Sequence, residues 1–279
     1  MKVFSMLIDT HCHINIMLRG YPTKSTFIPL TPDEQQQTQA ILKQAFEHDV
    51  KLIINVGTDL IESQTCINLA QLYKNCYAIV GIHPNDTTEN WKQDLHAITQ
   101  YVKNHAEHKI IGIGECGIDL HYENYNLSRQ QYALKAQIEL ALKYNLGLSI
   151  HSRDAAEETF KIIDQYCKED NFRGIMHCYA YDQGYADQAI KSNLVLGIGG
   201  TITYPKNEIL RSIVTNIGLQ DFVLETDAPF LPPQTMRGKQ NSPANIQLVA
   251  QYIANLRQIN YNDVANTTTA TVQRLFNLI

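Results

Sequence analysis

The chain has 279 residues, with 23 lysines and arginines against 28 aspartates and glutamates, giving a formal charge of −5 at pH 7 with histidine neutral. Hydrophobic residues make up 44% and charged residues 18%, the composition of an ordinary globular protein with enough apolar material for a sizeable core. The acidic balance argues against a protein that coats long stretches of nucleic acid, whose footprint is strongly basic, and leaves room only for a local basic rim.

The first residues, MKVFSML, carry one basic side chain and an apolar stretch that Asp9 cuts off. That is too short for the roughly 7 to 15 apolar residues of a signal peptide. No later apolar run approaches the roughly 20 residues of a membrane span. The six cysteines, at 12, 66, 76, 116, 167 and 178, form no CxxC pair, which reads as reduced thiols rather than a disulfide framework. The expectation is a soluble cytoplasmic chain, without membrane association and with no obligate protein partner in evidence.

Leu7–Ile14 reads LIDTHCHI. An apolar run ends in Asp9, His11 and His13 at alternate positions, which a strand points to one face. Alone, this is equally a strand with two hydrogen-bonded histidines or half of a metal site. Seven further apolar runs follow: Lys51–Gly57, Tyr77–His83, Ile110–Glu115, Leu146–His151, Arg173–Cys178, Leu194–Gly199 and Phe222–Asp227. Most are continuously apolar, as strands buried on both faces are.

Segments of helical length separate them. Thr31-Pro32-Asp33-Glu34 reads as an N-cap, a first-turn proline and a capping-box glutamate. Ser128 with Gln131 and Asp154 with Glu157 repeat that box, and Ser242-Pro243 opens the helical stretch after the eighth run. Leu134, Ile138, Ala141 and Leu142 give the helix after Ser128 one apolar face. Two loops stand out as irregular: 15–30, with Gly20, Pro22 and Pro29, and 230–241, with Arg237-Gly238-Lys239.

Eight strand-helix pairs in about 250 residues predict an α/β fold, a (β/α)8 TIM barrel in which residues 1–279 form a single domain. The active site then lies at the C-terminal ends of the strands. Those ends carry His11, His13, His83, Glu115, His151, His177, Glu225 and Asp227. Each alone reads as a hydrogen-bonded structural residue or a helix cap. Crowded together and buried, such groups need a cation or an extensive hydrogen-bond network to offset desolvation. Four imidazoles and two carboxylates suffice for two divalent metals with one carboxylate bridging, and such a pair supports hydrolysis. Mixed nitrogen and oxygen donors suit zinc, manganese or iron, whereas an all-oxygen shell favours magnesium.

In order along nearly the whole chain, DTHCHI, VGIHP, GECGID, HSRDA, HCY and ETDAPFLPP resemble the TatD family of metal-dependent deoxyribonucleases, within the amidohydrolase-like barrels. DTHCHI is shared with many metallohydrolases; GECGID, HSRDA and ETDAPFLPP together are specific. The resemblance implies a hydrolase of phosphodiester bonds in DNA, commonly an exonuclease, acting on single-stranded or frayed ends with two divalent ions (Mg, Mn or Zn). By position it implies His11, His13 and Asp227 on one metal, His151 and His177 on the other, and Glu115 as bridge. Asp227 would also take the proton of the attacking water. It further suggests His83 and Arg153 as phosphate-binding residues. Asp9 and Glu225, deeper in the barrel, are assigned to support the ligands, Asp9 by orienting an imidazole.

The chain departs from the family pattern where Tyr179 leads into Ala180-Tyr181-Asp182, at Gln240 and Ser242, and where Asn85 replaces a frequent second histidine. Competing readings are a metallohydrolase of small cyclic amides, lactones or phosphoesters, and a barrel that binds without catalysis. Many amidohydrolases use a modified lysine at the end of the fourth strand; here that position is Glu115.

Overall fold

The computed structural model describes residues 6–20 and 26–278. The basic residue of the opening segment and Pro22 of the first loop lie outside these residues. Eight strands run in one sheet in sequence order, every neighbouring pair parallel. They are β1 (Leu7–Cys12), β2 (Val50–Val56), β3 (Cys76–Val80), β4 (Ile110–Asp119), β5 (Gly147–Arg153), β6 (Gly174–Met176), β7 (Leu194–Ile198) and β8 (Phe222–Leu224). The seam between first and last is made just beyond β8. There Asp227 N donates to His11 O at 2.8 Å and His13 N to Ala228 O at 2.7 Å.

The helices are α1 (Ile14–Arg19), α2 (Pro32–Glu47), α3 (Leu60–Leu72), α4 (Trp91–Val102), α5 (Leu127–Tyr144), α6 (Ala156–Tyr166), α7 (Gln183–Lys191), α8 (Glu208–Asn216), α9 (Ile246–Arg257) and α10 (Tyr261–Leu275). Alternation along each strand divides the core. Leu7, Ile53, Ile113, Leu148, Ile150 and Leu196 pack with helix residues such as Leu134, Ile138 and Ile163. Ile8, Ile54, Ile79, Ile175, Val195 and Val223 form a second cluster with Val272, Leu275 and Phe276. The last turn of α10 therefore closes the end of the barrel where the strands begin. Gly147 is required there, since a Cβ on it would lie 2.8 Å from Phe276 Cε1.

The capping box at Thr31 forms as expected, with Glu34 N donating to Thr31 Oγ1 and Thr31 N to Glu34 Oε2. Two other boxes do not. Asn126 caps α5 in place of Ser128, its Oδ1 accepting from Arg129 N at 3.0 Å. Helix α6 starts from Ala155 without a side-chain cap, while Asp154 turns outward at φ 54° to meet His121 Nδ1 at 3.0 Å. The loop expected from Asn15 begins instead as α1, ended by Gly20 at φ 73°.

Strand β4 outruns its expected end at Glu115 by four residues. Ile113 faces Leu148 and Cys116 faces Ile150, so Gly114 and Glu115 together oppose Ser149. This two-against-one bulge aims Glu115 inward. Strand β8 is shorter than expected, and Glu225 to Asp227 extend past it. Among the described residues no helix is long and apolar enough to cross a membrane.

Candidate metal centre

Beyond the strand ends lies a cavity of about 770 Å³ whose lining includes His13, His83, Glu115, His151, His177 and Asp227. Glu115 sits at its floor, 4% exposed. Its Oε2 lies 3.3 Å from His11 Nε2, and its Oε1 lies 2.8 Å from His151 Nδ1. His11 Nε2 and His13 Nε2 are 3.2 Å apart. Asp227 Oδ1 is 3.4 Å from His13 Nε2 and 3.8 Å from His177 Nε2. The rings of His11 and His177 stack at 3.5 Å between centroids.

Each ring has a nitrogen facing this centre and another turned to a neighbour behind it. His13 Nδ1–H donates to Val56 O at 2.8 Å, which leaves Nε2 as a lone pair in the neutral ring. His177 Nδ1 lies 3.1 Å from Glu225 Oε1. His11 Nδ1 meets Ser149 Oγ at 3.1 Å. His151 is reversed, with Nε2–H donating to Asp119 Oδ2 at 3.1 Å and Nδ1 turned inward.

The donors fit a divalent cation. Metal–ligand bonds of about 2.0–2.2 Å put neighbouring donors about 2.8–3.6 Å apart, the range of the His11–His13, His11–Glu115 and His13–Asp227 separations. The Nε2 atoms of His11 and His13, both turned inward and 3.2 Å apart, are placed to share one cation. His11, His13 and Glu115 form one candidate ligand group; His11, His177 and Asp227 form another. His151 groups instead with His83 and Asp119, and meets the first cluster through Glu115.

Electrostatics agree with that chemistry. Burial opposes ionisation of Glu115, yet the surrounding imidazoles, with hydrogen bonds from His11 and His151, outweigh it and hold the carboxyl well below its ordinary range. Burial likewise disfavours a charged His177, but Glu225 overrides it and lifts the ring to about 10. A field that draws a proton this strongly also draws a metal cation. Burial, aided by His151, drops His83 to about 3. His83 is thus a neutral ring, and its Nδ1 accepts from Asn85 N at 3.1 Å. The proton therefore sits on Nε2, which points toward Glu115 Oε1 at 3.6 Å.

Arg153 stands exposed at the rim, its guanidinium 5.6 Å from the Tyr122 ring centroid. Asp9 is fully buried, and burial pushes its carboxyl up to about 8 against the bonds from Thr226. The expectation that Asp9 orients an imidazole is corrected by its contacts. Its oxygens accept from Thr226 N, Thr226 Oγ1 and His11 N, tying the end of β8 to the backbone of β1. Ser149 and Val56 take the ring nitrogens instead. Glu225 supports His177 and also accepts from Cys178 N at 2.7 Å. Gly197 makes room for it, since a Cβ there would overlap the carboxylate.

Two residues escaped the sequence reading. Asp119 shares a strand face with Glu115 and Gly117 at every second position, a signal available once β4 is carried past Glu115. Ser149 stands two residues before His151 in the same way. The departure at Asn85 is also resolved: its Nδ2 donates to Asp119 Oδ2 at 3.0 Å.

The family model described as TatD related DNase matches residues 8–277. An uncharacterized metal-dependent hydrolase of Bacillus subtilis, YabD, is 31% identical over 275 residues, spanning 98% of this chain and 100% of that one. The 3'-5' ssDNA/RNA exonuclease TatD of Shigella flexneri is 28% identical over 244 residues, 85% of this chain and 92% of its own. Among solved structures, the TatD homologue YjjV of Escherichia coli K12 superposes with a TM-score of 0.87 at 26% identity, covering 99% of each chain.

Proposed function

The chain belongs to the TatD-related DNase family of metal-dependent hydrolases, and from that premise we propose that it hydrolyses phosphodiester bonds at single-stranded or frayed DNA ends. The observation that carries this reading is the position of Glu115, whose two oxygens face different sets of histidines, His11 on one side and His151 on the other. A carboxylate so placed suits a bridge between two divalent ions, Mg, Mn or Zn. Such a pair supplies activated water and stabilises the entering and leaving oxygens.

The chain's own residues divide the remaining work. With two ions bound, His11, His13 and Asp227 would hold one and His151 and His177 the other, with Glu115 serving both; His177, which also groups with His11 and Asp227, stands between the two sets. Asp227 has the more open side chain of the two carboxylates, 16% exposed against 5% for that of Glu115. Burial resists its ionisation, but His13 overcomes this and keeps its carboxyl below the ordinary range. It is the group that takes the proton of the attacking water. His83 offers a neutral Nε2–H to a phosphate oxygen, and Arg153 a planar fork at the entrance. We assign the protein to the cytoplasm, where its six free cysteines stay reduced.

The test is direct. Protein stripped of metal and reloaded with magnesium, manganese or zinc is expected to shorten end-labelled single-stranded DNA, and parallel duplex DNA and RNA substrates define its range. Inactivity on DNA with all three ions, alongside turnover of a small lactone, amide or phosphoester, would replace this reading with that of a small-molecule hydrolase.

A further inference from the structure

Two aromatic side chains at the mouth of the cavity are exposed without a structural need. Tyr122 is 57% exposed and Phe230 45%, and both line the same cavity as Glu115 and Asp227. They come from opposite walls, Tyr122 following β4 and Phe230 following β8, four strands apart in an eight-stranded barrel. Leaving large rings in water forgoes apolar burial.

Both rings are held in place. Arg153 lies over Tyr122 at 5.6 Å and His121 meets the same ring at 5.1 Å between centroids, near perpendicular, so a cation and an imidazole hold a ring that still leaves more than half of its residue surface open to a ligand. Phe230 is fixed through its backbone: its N donates to Asp227 O at 2.8 Å, and its carbonyl accepts from Asn241 Nδ2 at 2.7 Å. Asn241 is buried and also donates to Thr226 O at 2.8 Å. The Phe230 ring meets His13 edge-on at 6.2 Å between centroids, so a base on it sits beside the metal cluster.

We propose that Phe230 and Tyr122 are two base-stacking platforms that grip successive unpaired nucleotides of the substrate strand, Phe230 the base nearest the cleaved phosphate and Tyr122 its neighbour. This rests on the nuclease reading above and specifies how that site recognises its strand. Stacking accepts every base through its π face, and a nearby arginine adds a cation–π contribution. Inside a duplex both faces of a base are covered by its neighbours. Two platforms on opposite walls therefore demand bases splayed from a single strand, and they select for unpaired ends without reading sequence.

The experiment compares a tetranucleotide with an abasic tetramer of the same backbone, using metal-loaded wild-type, Phe230→Ala, Phe230→Tyr, Tyr122→Ala and Tyr122→Phe proteins. Binding of a phosphorothioate tetranucleotide, followed by fluorescence anisotropy, supplies a readout apart from turnover. The wild type is expected to favour the base-bearing oligonucleotide through KM. Each alanine variant should weaken that preference and the phosphorothioate binding by about five-fold or more, the loss of one base–aromatic stack. Cleavage of the abasic tetramer should fall by less than cleavage of the base-bearing one, and the aromatic replacements should retain the preference. If the wild type cleaves both oligonucleotides equally, or if the alanine variants keep the full preference, the platforms are wrong while the nuclease reading stands. If neither oligonucleotide is cleaved under any of the three metals, the nuclease reading falls and this inference falls with it.

Discussion

Asp119 Oδ2 accepts a 3.1 Å hydrogen bond from His151 Nε2, while the opposite nitrogen of that ring lies 2.8 Å from Glu115 Oε1. The carboxylate fixes the tautomer that leaves Nδ1 free to bind a cation. Burial works against its charge, but the His151 hydrogen bond holds Asp119 down at about 2. Asp119→Ala is expected to weaken binding of the metal that His151 would hold by about 10- to 100-fold, the usual penalty for losing the partner behind a ligating histidine. Asp119→Asn, which keeps an acceptor, should lose less. Metal content after dialysis against graded chelator measures both.

Glu115→Ala and Asp227→Asn should each lower turnover severely and leave the far-ultraviolet circular dichroism spectrum of the wild type. For Asp227→Asn the loss expected from removing a general base is about 100- to 10,000-fold. Retention of near wild-type rates by either variant would contradict the assigned roles. Asp227 is the cleaner test, because asparagine preserves size and one oxygen.

A pH-dependent contribution to stability is expected far from the cluster. The hydrogen bond from Arg19 holds the Glu34 carboxyl down at about 2, against an ordinary 4.5, through a 2.8 Å contact from Nε to Oε1. A depressed folded-state value means the contribution is fully present above about 4.5 and is lost as pH falls toward 2. The difference in urea midpoint between wild type and Glu34→Gln should therefore be constant from pH 7 to 5 and shrink below that. A difference that grew on acidification would exclude the ion pair as its source.

Gly147→Ala should destabilise the barrel by about 1–3 kcal/mol, the cost of overpacking a filled core, because the new methyl meets the Phe276 ring. Phe276→Leu in the same chain should recover part of that loss by opening space. Residual activity below the melting transition should be close to normal, since Gly147 starts the strand whose other end carries His151. Chemical unfolding and a rate assay at low temperature separate the two effects.

The barrel was legible because strands buried on both faces are written as unbroken apolar runs, and the cluster because its side chains stand where those runs stop. What escaped depended on local geometry. The bulge opposite Ser149 breaks the alternation of β4, so Asp119 looks like a loop residue when the strand is counted from Ile110 alone. Asn126 and Ser128 are both good caps, and only the backbone at Asn126, with φ −115° and ψ 89°, stands outside the helix. The short helix α1 carries no N-cap signal, as the residue preceding it is His13, committed to the centre. Ring-nitrogen choice cannot be read from sequence at all: Val56 O stands behind His13 and Asp119 behind His151, and only the folded chain brings them there.

The seam of the barrel couples the site to the completion of folding. The backbone hydrogen bonds joining the first strand to the segment just past the last involve His11, His13 and Asp227 themselves, and Asp9 reaches across 217 positions to Thr226. A nascent or partly folded chain holding only the early strands has two histidines of the site and none of its later partners. The full donor set thus exists only in the closed barrel: the bonds that finish the fold and the side chains that make the cluster are carried by the same few residues.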